Sequence, residues 1–249
     1  MKDTFVMKLN ETIIWFSVLI LGIIAYLCNT KYLVVLIFWT LIIIAAGNAK
    51  RIYSKKYIIS STIIRRSMYV IPFLLPLLTD FRMNLKASNL AYWCVAAFMF
   101  GIILILPKLN EWRIVLSKEM IEFTPRRDKI DFITQIGILL GAAAGEEIFF
   151  RNFLIGYVND KLYFFSVVLS CLLFFLNHFG VKWNKAFNFY DYTIQILFSV
   201  ISSVLFIASK SILPSIIAHA IYNSPLVLMT IKSYAYHYNK AQKGGESNV

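Results

Sequence analysis

The 249-residue chain is 59% hydrophobic and 16% aromatic, and only 15% of its residues are charged. Soluble domains average about 45–50% apolar residues, so the composition excludes an ordinary soluble protein. It predicts an all-α, polytopic transmembrane helix bundle of about seven or eight spans, folded as a single integral-membrane domain over residues 1–249. The net charge of +12 is explained by basic cytoplasmic loops, so nucleic-acid binding is not expected.

The first predicted elements are a helical hairpin and a basic loop. Residues 12–28 and 32–47 are apolar, and no small-residue cleavage pattern separates them, so we interpret them as retained helices and not as a removed signal peptide. The loop that follows carries Lys50, Arg51, Lys55 and Lys56. This cluster predicts a cytoplasmic loop and therefore a cytoplasmic N-terminus in the cell membrane.

The next stretch, residues 67–79, is apolar but short and contains Pro72 and Pro76. It is consistent with a tilted or kinked span and with a re-entrant segment. Residues 89–106 form a clear span. Residues 108–129 carry charges of both signs and predict a second cytoplasmic segment, either an interfacial helix or a solvated loop.

The second half contains four further predicted spans, at residues 131–158, 163–179, 190–209 and 212–231. The three cysteines of the chain form no CxxC pair and lie in apolar stretches, so neither a disulfide framework nor a thiolate zinc site is expected. They are Cys28, Cys94 and Cys171.

Two adjacent glutamates and an arginine lie inside the span at residues 131–158, where an unpaired charge is costly. On an α-helix Glu147 and Arg151 are one turn apart on the same face, with the acid first, so we predict that they pair and support the structure. Glu146 points about 100° away and has no obvious local partner. This geometry leaves Glu146 free for chemistry.

A small-residue stripe precedes this pair. Gly137, Gly141 and Gly145 recur every four residues, which predicts that a second helix approaches the backbone closely on that face. Such an approach would bring groups from other helices towards Glu146.

Other polar candidates inside the later spans are His178, near a helix end, and His219, in mid-span. Asn223 follows His219 by one helical turn on the same face. Together with Glu146, these groups predict a hydrolytic set, in which a carboxylate activates water and a donor pair stabilises an oxyanion. By the predicted topology His178 lies nearer the cytoplasmic end than Glu146 and His219, so their meeting requires helix tilt or a longer helix.

Three motifs in this order resemble those of the CPBP family, the CAAX protease and bacteriocin-processing intramembrane proteases, also called the Abi family. They are Glu146-Glu147-x-x-x-Arg151, Phe174-x-x-x-His178 and His219-x-x-x-Asn223. The resemblance covers roughly residues 131–231 and implies an intramembrane endopeptidase.

The resemblance implies a role for each motif residue. Glu146 would be the general base with His178 as its partner, while His219 and Asn223 would be the oxyanion donors. Glu147 and Arg151 would be structural, in agreement with their spacing.

The metal requirement stays open at this point. Glu146, His178 and His219 could ligate Zn²⁺ with an open fourth position, but the chain has no HExxH signature. We therefore favour catalysis with no required cofactor, with zinc as the alternative.

The expected partners are the lipid bilayer and a membrane-associated peptide or protein substrate. Bacterial relatives are linked to pheromone or bacteriocin maturation and to self-immunity, so a short peptide precursor is the preferred substrate. Two other functions compete with proteolysis. One is a non-catalytic immunity or scaffold protein that binds a sensor or secretion partner. The other is the proton relay of a small transporter, which is disfavoured because no pair of broken helices recurs in the two halves.

Overall fold

The structure is a computed structural model that describes residues 9–158, 163–180 and 189–245. These residues form helices and connecting turns, and no strand occurs among them, so the all-α prediction is confirmed for this part of the chain. The α-helices are α1 (Leu9–Cys28), α2 (Lys31–Asn48), α3 (Ile58–Ser67), α4 (Leu90–Ile105), α5 (Leu109–Val115), α6 (Lys118–Glu122), α7 (Lys129–Glu147), α8 (Tyr163–Gly180), α9 (Phe189–Ser209) and α10 (Leu213–Gly245). Short 3₁₀-helices lie at Ala49–Arg51, Ile71–Leu78 and Leu106–Lys108, and a π-helix lies at Ile148–Tyr157.

Five of the described helices are long and apolar enough to cross a membrane. They are Lys31–Arg51, Leu90–Val115, Lys129–Tyr157, Phe189–Ser209 and Leu213–Tyr238. A sixth is obtained if α3 and the Ile71–Leu78 helix, which are bent by 57°, count as one span. Two shorter apolar helices lie at Thr12–Leu27 and Tyr163–Phe179. The helical, multi-span architecture is therefore confirmed, whereas the long helices do not reach the predicted count of seven or eight.

The ambiguous segment around Pro72 and Pro76 forms the second helix of the bent pair. Near its start, Arg66 Nη2 lies 3.5 Å from Asp131 Oδ1 in the first turn of α7. Just beyond its end, Asp80 Oδ1 accepts a hydrogen bond of 2.8 Å from the Tyr157 hydroxyl, at the last residue of the π-helix. The segment thus extends along the whole of α7 and its continuation, and both the kinked span and the re-entrant segment stay predictions. Proline interrupts the α-helix because its nitrogen carries no hydrogen.

The glycine stripe of α7 packs against this kinked segment. A Cβ atom at Gly141 would lie 3.0 Å from Val70 Cγ1, and one at Gly145 would lie 3.0 Å from Phe73 Cβ. The same construction at Gly137 meets nothing within 4 Å. The predicted close approach is therefore confirmed at Gly141 and Gly145 and is wrong for Gly137, which lines a cavity between α7 and the bent pair.

The span that carries the glutamates is not α-helical throughout. After Glu147 it continues as the π-helix Ile148–Tyr157, in which the hydrogen bonds run from residue i to residue i+5. Residues 148–155 are all buried, so protein surrounds this helix on every side. The Glu147–Arg151 pair lies across the junction of the two helix types, and π-helical turns are frequent at functional sites.

Helix α10 packs antiparallel to α7. Its contacts run from His219 with Glu147, through Asn223 with Leu139, to Tyr234 with Phe132. The helix continues to Gly245, well beyond the predicted end at residue 231. Near the Tyr234 contact, the Tyr238 hydroxyl donates a hydrogen bond of 2.7 Å to the carbonyl oxygen of Arg127.

The cations are distributed unevenly between the two ends of the bundle. We call the end at which α7 begins the basic end. Its described residues include Lys50, Arg51, Lys55, Lys56, Arg65, Arg66, Arg113, Lys118, Arg126, Arg127, Lys129 and Lys232. The opposite end carries Lys31, Arg82, Lys86 and Lys210.

Candidate active site

The predicted Glu147–Arg151 pair is present and fully buried. Arg151 Nε lies 3.3 Å from Glu147 Oε2, and neither side chain is exposed to solvent. Arg151 Nη2 also donates to the carbonyl oxygen and the hydroxyl of Ser199 in α9, at 3.1 Å each. The guanidinium lies 4.5 Å from the centre of the Phe174 ring. A buried charge is tolerated when it is paired and hydrogen-bonded in this way.

Glu147 has further partners that the spacing of the sequence did not predict. Its Oε1 lies 2.8 Å from His219 Nδ1, and its Oε2 accepts a hydrogen bond from the Ser202 hydroxyl. Both carboxylate oxygens are therefore engaged, one by His219 of α10 and the other by Arg151 of the π-helix and Ser202 of α9. The His219 ring, packed against Phe198 with centroids 4.6 Å apart, is oriented by Glu147.

Glu146 has a different environment from its neighbour. It is also buried, with 6% of its surface exposed, but its Oε2 accepts no hydrogen bond from the residues that the structure describes. His178 Nε2 lies 3.7 Å from this oxygen. Helix α8 reaches this depth because it packs against the π-helix, where the Ser170 hydroxyl donates to the Phe150 carbonyl oxygen at 2.6 Å. The structure therefore brings Glu146 and His178 together although the predicted topology put them at different depths.

The hydrogen bonding of His178 defines what its ring can offer to Glu146. Its Nδ1 lies 3.0 Å from the Phe174 carbonyl oxygen. A carbonyl only accepts, so Nδ1 carries the hydrogen and Nε2 of the neutral ring is an acceptor. The ionised carboxylate of Glu146 is also an acceptor. Two acceptors 3.7 Å apart suit a molecule with two O–H donors, such as water, bound between them.

Asn223 lies one turn after His219 and faces α7. Its Nδ2 donates a hydrogen bond of 2.9 Å to the carbonyl oxygen of Leu139. Leu139 precedes Glu146 by seven residues, or about 10 Å along an α-helix. The amide of Asn223 therefore adjoins α7 on the basic-end side of Glu146, and one of its two N–H groups is engaged by the backbone.

The zinc alternative requires Glu146, His178 and His219 to converge on one point. Among the described residues, no group of three His, Cys, Asp or Glu side chains has a spacing that could hold a metal ion. Nδ1 of His219 is engaged by Glu147, which leaves only its Nε2 for another partner. Metal-bound histidines are commonly held in this way, with one ring nitrogen on a carboxylate or a carbonyl, so the zinc alternative stays a prediction.

The serines of α9 contribute contacts that the analysis of the sequence missed. Ser199 and Ser202 bind Arg151 and Glu147 from a neighbouring helix, and both are fully buried. Their spacing of three residues in an apolar helix was a signal of a polar face. The signal alone does not identify partners, because a serine can also bind its own helix, as Ser203 does through the Ser199 carbonyl oxygen at 2.9 Å.

Comparison with protein families supports the motif assignment. Residues 129–225 match the family described as type II CAAX prenyl endopeptidase Rce1-like. This segment is Rce1-like. The match confirms the resemblance to the CPBP and CAAX protease family, and the Rce1-like segment contains all three motifs, from Glu146 to Asn223. It comprises α7, the π-helix, α8, α9 and the first part of α10. No curated protein and no solved structure matches the chain.

Proposed function

We propose that the protein is an intramembrane endopeptidase that hydrolyses a peptide bond of a membrane-associated peptide or protein. The observation that carries the proposal is Glu146 Oε2, which is buried, accepts no hydrogen bond from the described residues and lies 3.7 Å from His178 Nε2. The similarity of residues 129–225 to CAAX prenyl endopeptidases supports the same reaction class.

In the proposed mechanism Glu146 is the general base and His178 is its partner. A water molecule donates one hydrogen to Glu146 and the other to His178. The lone pairs of its oxygen then lie on the opposite side and face the substrate. Glu146 takes one proton as this oxygen attacks the scissile carbonyl carbon, and the C=O bond opens to an oxyanion. The proton then passes to the leaving nitrogen as the C–N bond breaks, so that no cofactor is required.

His219 and Asn223 are the proposed oxyanion donors. Because His219 Nδ1 faces Glu147 at 2.8 Å, Nε2 can donate only when the ring is doubly protonated. The carboxylate of Glu147 stabilises this imidazolium, which gives the structural pair an indirect role in the reaction. Asn223 retains a second N–H beside the one that binds Leu139.

The proposed setting is the cell membrane, with the basic end in the cytoplasm. The five long helices, the bent pair, α1 and α8 would then form eight spans, with the N-terminus at the basic end. The excess of cations at this end supports the orientation. The proposed substrate is a short membrane-associated peptide precursor, processed in pheromone or bacteriocin maturation or in self-immunity.

The first test is cleavage of a candidate precursor by purified protein in lipid nanodiscs. We expect Glu146→Gln to lower the cleavage rate about 100-fold or more, the usual contribution of a general base. Glu119→Gln, an isosteric change in the surface helix α6, is the matched control and should cleave at the wild-type rate. Protein level and thermal unfolding are measured for both variants.

A chelator added to the same assay distinguishes metal-independent catalysis by Glu146 from zinc-dependent catalysis. Unchanged cleavage after chelation is expected for a glutamate-dependent protease, and loss that is restored by Zn²⁺ would assign a metal. Full cellular function of Glu146→Gln at a normal protein level would contradict the hydrolytic proposal and favour a protein that acts by holding a partner.

A further inference from the structure

Two cavities follow one another along the contact between α3 and α7 at the basic end, and none of the proposed catalytic residues lines either of them. Its outer part is a cavity of about 770 Å³ lined by residues 55–60 and 128–130. Its inner part is a cavity of about 230 Å³ lined by residues of the segments 63–71 and 134–138. The same two chain segments thus form both walls from the end of the bundle into its apolar region. We call this feature the α3–α7 groove.

The outer cavity is positively charged. Lys55, Lys56 and Lys129 line it together with a single acidic residue, Asp128. All four side chains belong to exposed residues. Further cations of the basic end, Arg65 and Arg66, follow one or two turns later on α3. A phosphate group would therefore be attracted to this cavity, and its charge would be met by several lysines at once.

Arg66 lies at the neck between the two cavities. Its Nη2 is 3.5 Å from Asp131 Oδ1, and its Nη1 donates to the Gln135 side-chain oxygen. Its buried Nε has no hydrogen-bond partner among the described residues. The neck thus keeps a donor that an oxygen atom of a bound headgroup could satisfy.

The inner cavity is apolar and opens to the side of the bundle. Ile63 and Ile71, which line it, are 43% and 61% exposed in a segment that runs through the membrane. Gly137 lines the opposite wall, and a Cβ atom there would meet no other atom within 4 Å. This part of the groove offers the apolar surface that an acyl chain requires.

We propose that the α3–α7 groove binds one anionic phospholipid, with its phosphate headgroup in the outer cavity and an acyl chain in the inner cavity. The order of the basic and the apolar cavity indicates which kind of ligand binds. Along the same pair of helices, a basic cavity at the end of the bundle is followed by an apolar one nearer its middle, which matches a phospholipid and neither a free anion nor an uncharged apolar ligand. The site is independent of the proposed hydrolysis.

The test uses delipidated full-length protein, titrated with phosphatidylglycerol or with phosphatidylcholine of the same acyl chains. Bound lipid is counted by native mass spectrometry, and thermal unfolding is followed in parallel. We expect one phosphatidylglycerol to bind in preference to phosphatidylcholine. Lys55→Gln/Lys56→Gln should weaken its binding roughly 25-fold, since each lysine near an anionic surface contributes about fivefold. Arg113→Gln/Lys118→Gln removes the same charge from α5 and α6 and should bind as the wild type does.

A second variant tests the acyl-chain part separately. Gly137→Leu fills part of the inner cavity and should weaken phosphatidylglycerol binding about 16-fold if it displaces two methylene groups, since each buried methylene contributes roughly fourfold. Gly22→Leu is the matched control, because a Cβ at Gly22 in α1 also meets open space. Three results would each overturn the proposal. They are binding of phosphatidylcholine as tight as that of phosphatidylglycerol, a loss of binding in a control variant as large as in the test variant, and competition by inorganic phosphate at the same concentration as the lipid.

Discussion

Glu146 and Glu147 are adjacent in the chain and both buried, yet their surroundings are opposite. Both oxygens of Glu147 are engaged by Arg151, His219 and Ser202. Oε2 of Glu146 accepts no hydrogen bond within the described chain and faces His178 across 3.7 Å. The same side-chain chemistry therefore supports two roles, because one carboxylate is neutralised by structure and the other has an unused acceptor.

This contrast predicts different effects of the same substitution at the two positions. Glu147→Gln leaves the guanidinium of Arg151 buried without its counter-charge, so we expect a loss of stability of about 3–5 kcal/mol. Glu146→Gln removes a charge that has no direct partner, so stability should change by less than about 1 kcal/mol while cleavage is lost. Unfolding of the purified variants in the same detergent measures both values. Equal destabilisation by the two substitutions would contradict this separation of roles.

At the scale of elements, the site depends on how closely α10 approaches its neighbours. Gly101 of α4 allows this approach: a Cβ atom there would lie 2.7 Å from Ile221 Cβ and 2.9 Å from the Ala218 carbonyl oxygen. Ala218 precedes His219, so the packing of α4 on α10 sets the position of the imidazole. On the other side of α10, Glu147 and Leu139 of α7 accept the hydrogen bonds of its site residues.

Gly101→Ala is therefore expected to destabilise the bundle by about 1–3 kcal/mol through overpacking and to lower cleavage by displacing His219. Gly137→Ala is the matched control, since its Cβ enters open space, and better helix propensity should stabilise α7 by up to about 1 kcal/mol. Thermal unfolding and cleavage assays of both variants check the prediction. Unchanged stability and cleavage in Gly101→Ala would show that α4 can move away from α10 without displacing His219.

For the whole molecule, the uneven distribution of cations orients the bundle. Two contacts of α7 relate its ends to the rest of the chain: Arg66 with Asp131 at the basic end, and Asp80 with Tyr157 at the opposite end. Since basic loops remain in the cytoplasm, the proposed orientation has the Lys50–Lys56 turn and the N-terminus on that side. It has the loop before α4, which carries Lys86 and Ser88, outside.

Labelling with a membrane-impermeant maleimide tests this orientation in intact cells. In a chain whose three native cysteines are replaced by alanine, Ser88→Cys should react from outside, and Tyr53→Cys should react only after permeabilisation. Both positions are exposed, so reactivity reports the side of the membrane and not burial. The reverse pattern would invert the bundle.

Much of the architecture follows from patterns that are local in the chain. Apolar runs of span length predicted helices with ends close to those observed, as at residues 89–106 against Leu90–Ile105 for α4. The pairing of Glu147 with Arg151 was predicted because residues four apart share a helix face. The end of α10 was placed too early, because its polar last turns are supported by contacts such as Tyr238 with Arg127, which no local pattern reveals.

The composition and the motif spacing by themselves establish a helical, multi-span protein with Glu146, His178, His219 and Asn223 as its candidate site. The partners of these residues depend on tertiary structure: Glu147 orients His219, Ser199 and Ser202 hold the ion pair, and α8 brings His178 to Glu146. The physical reason is that helix periodicity specifies which residues share a face of one helix. Which face of another helix they meet depends on packing across the whole bundle.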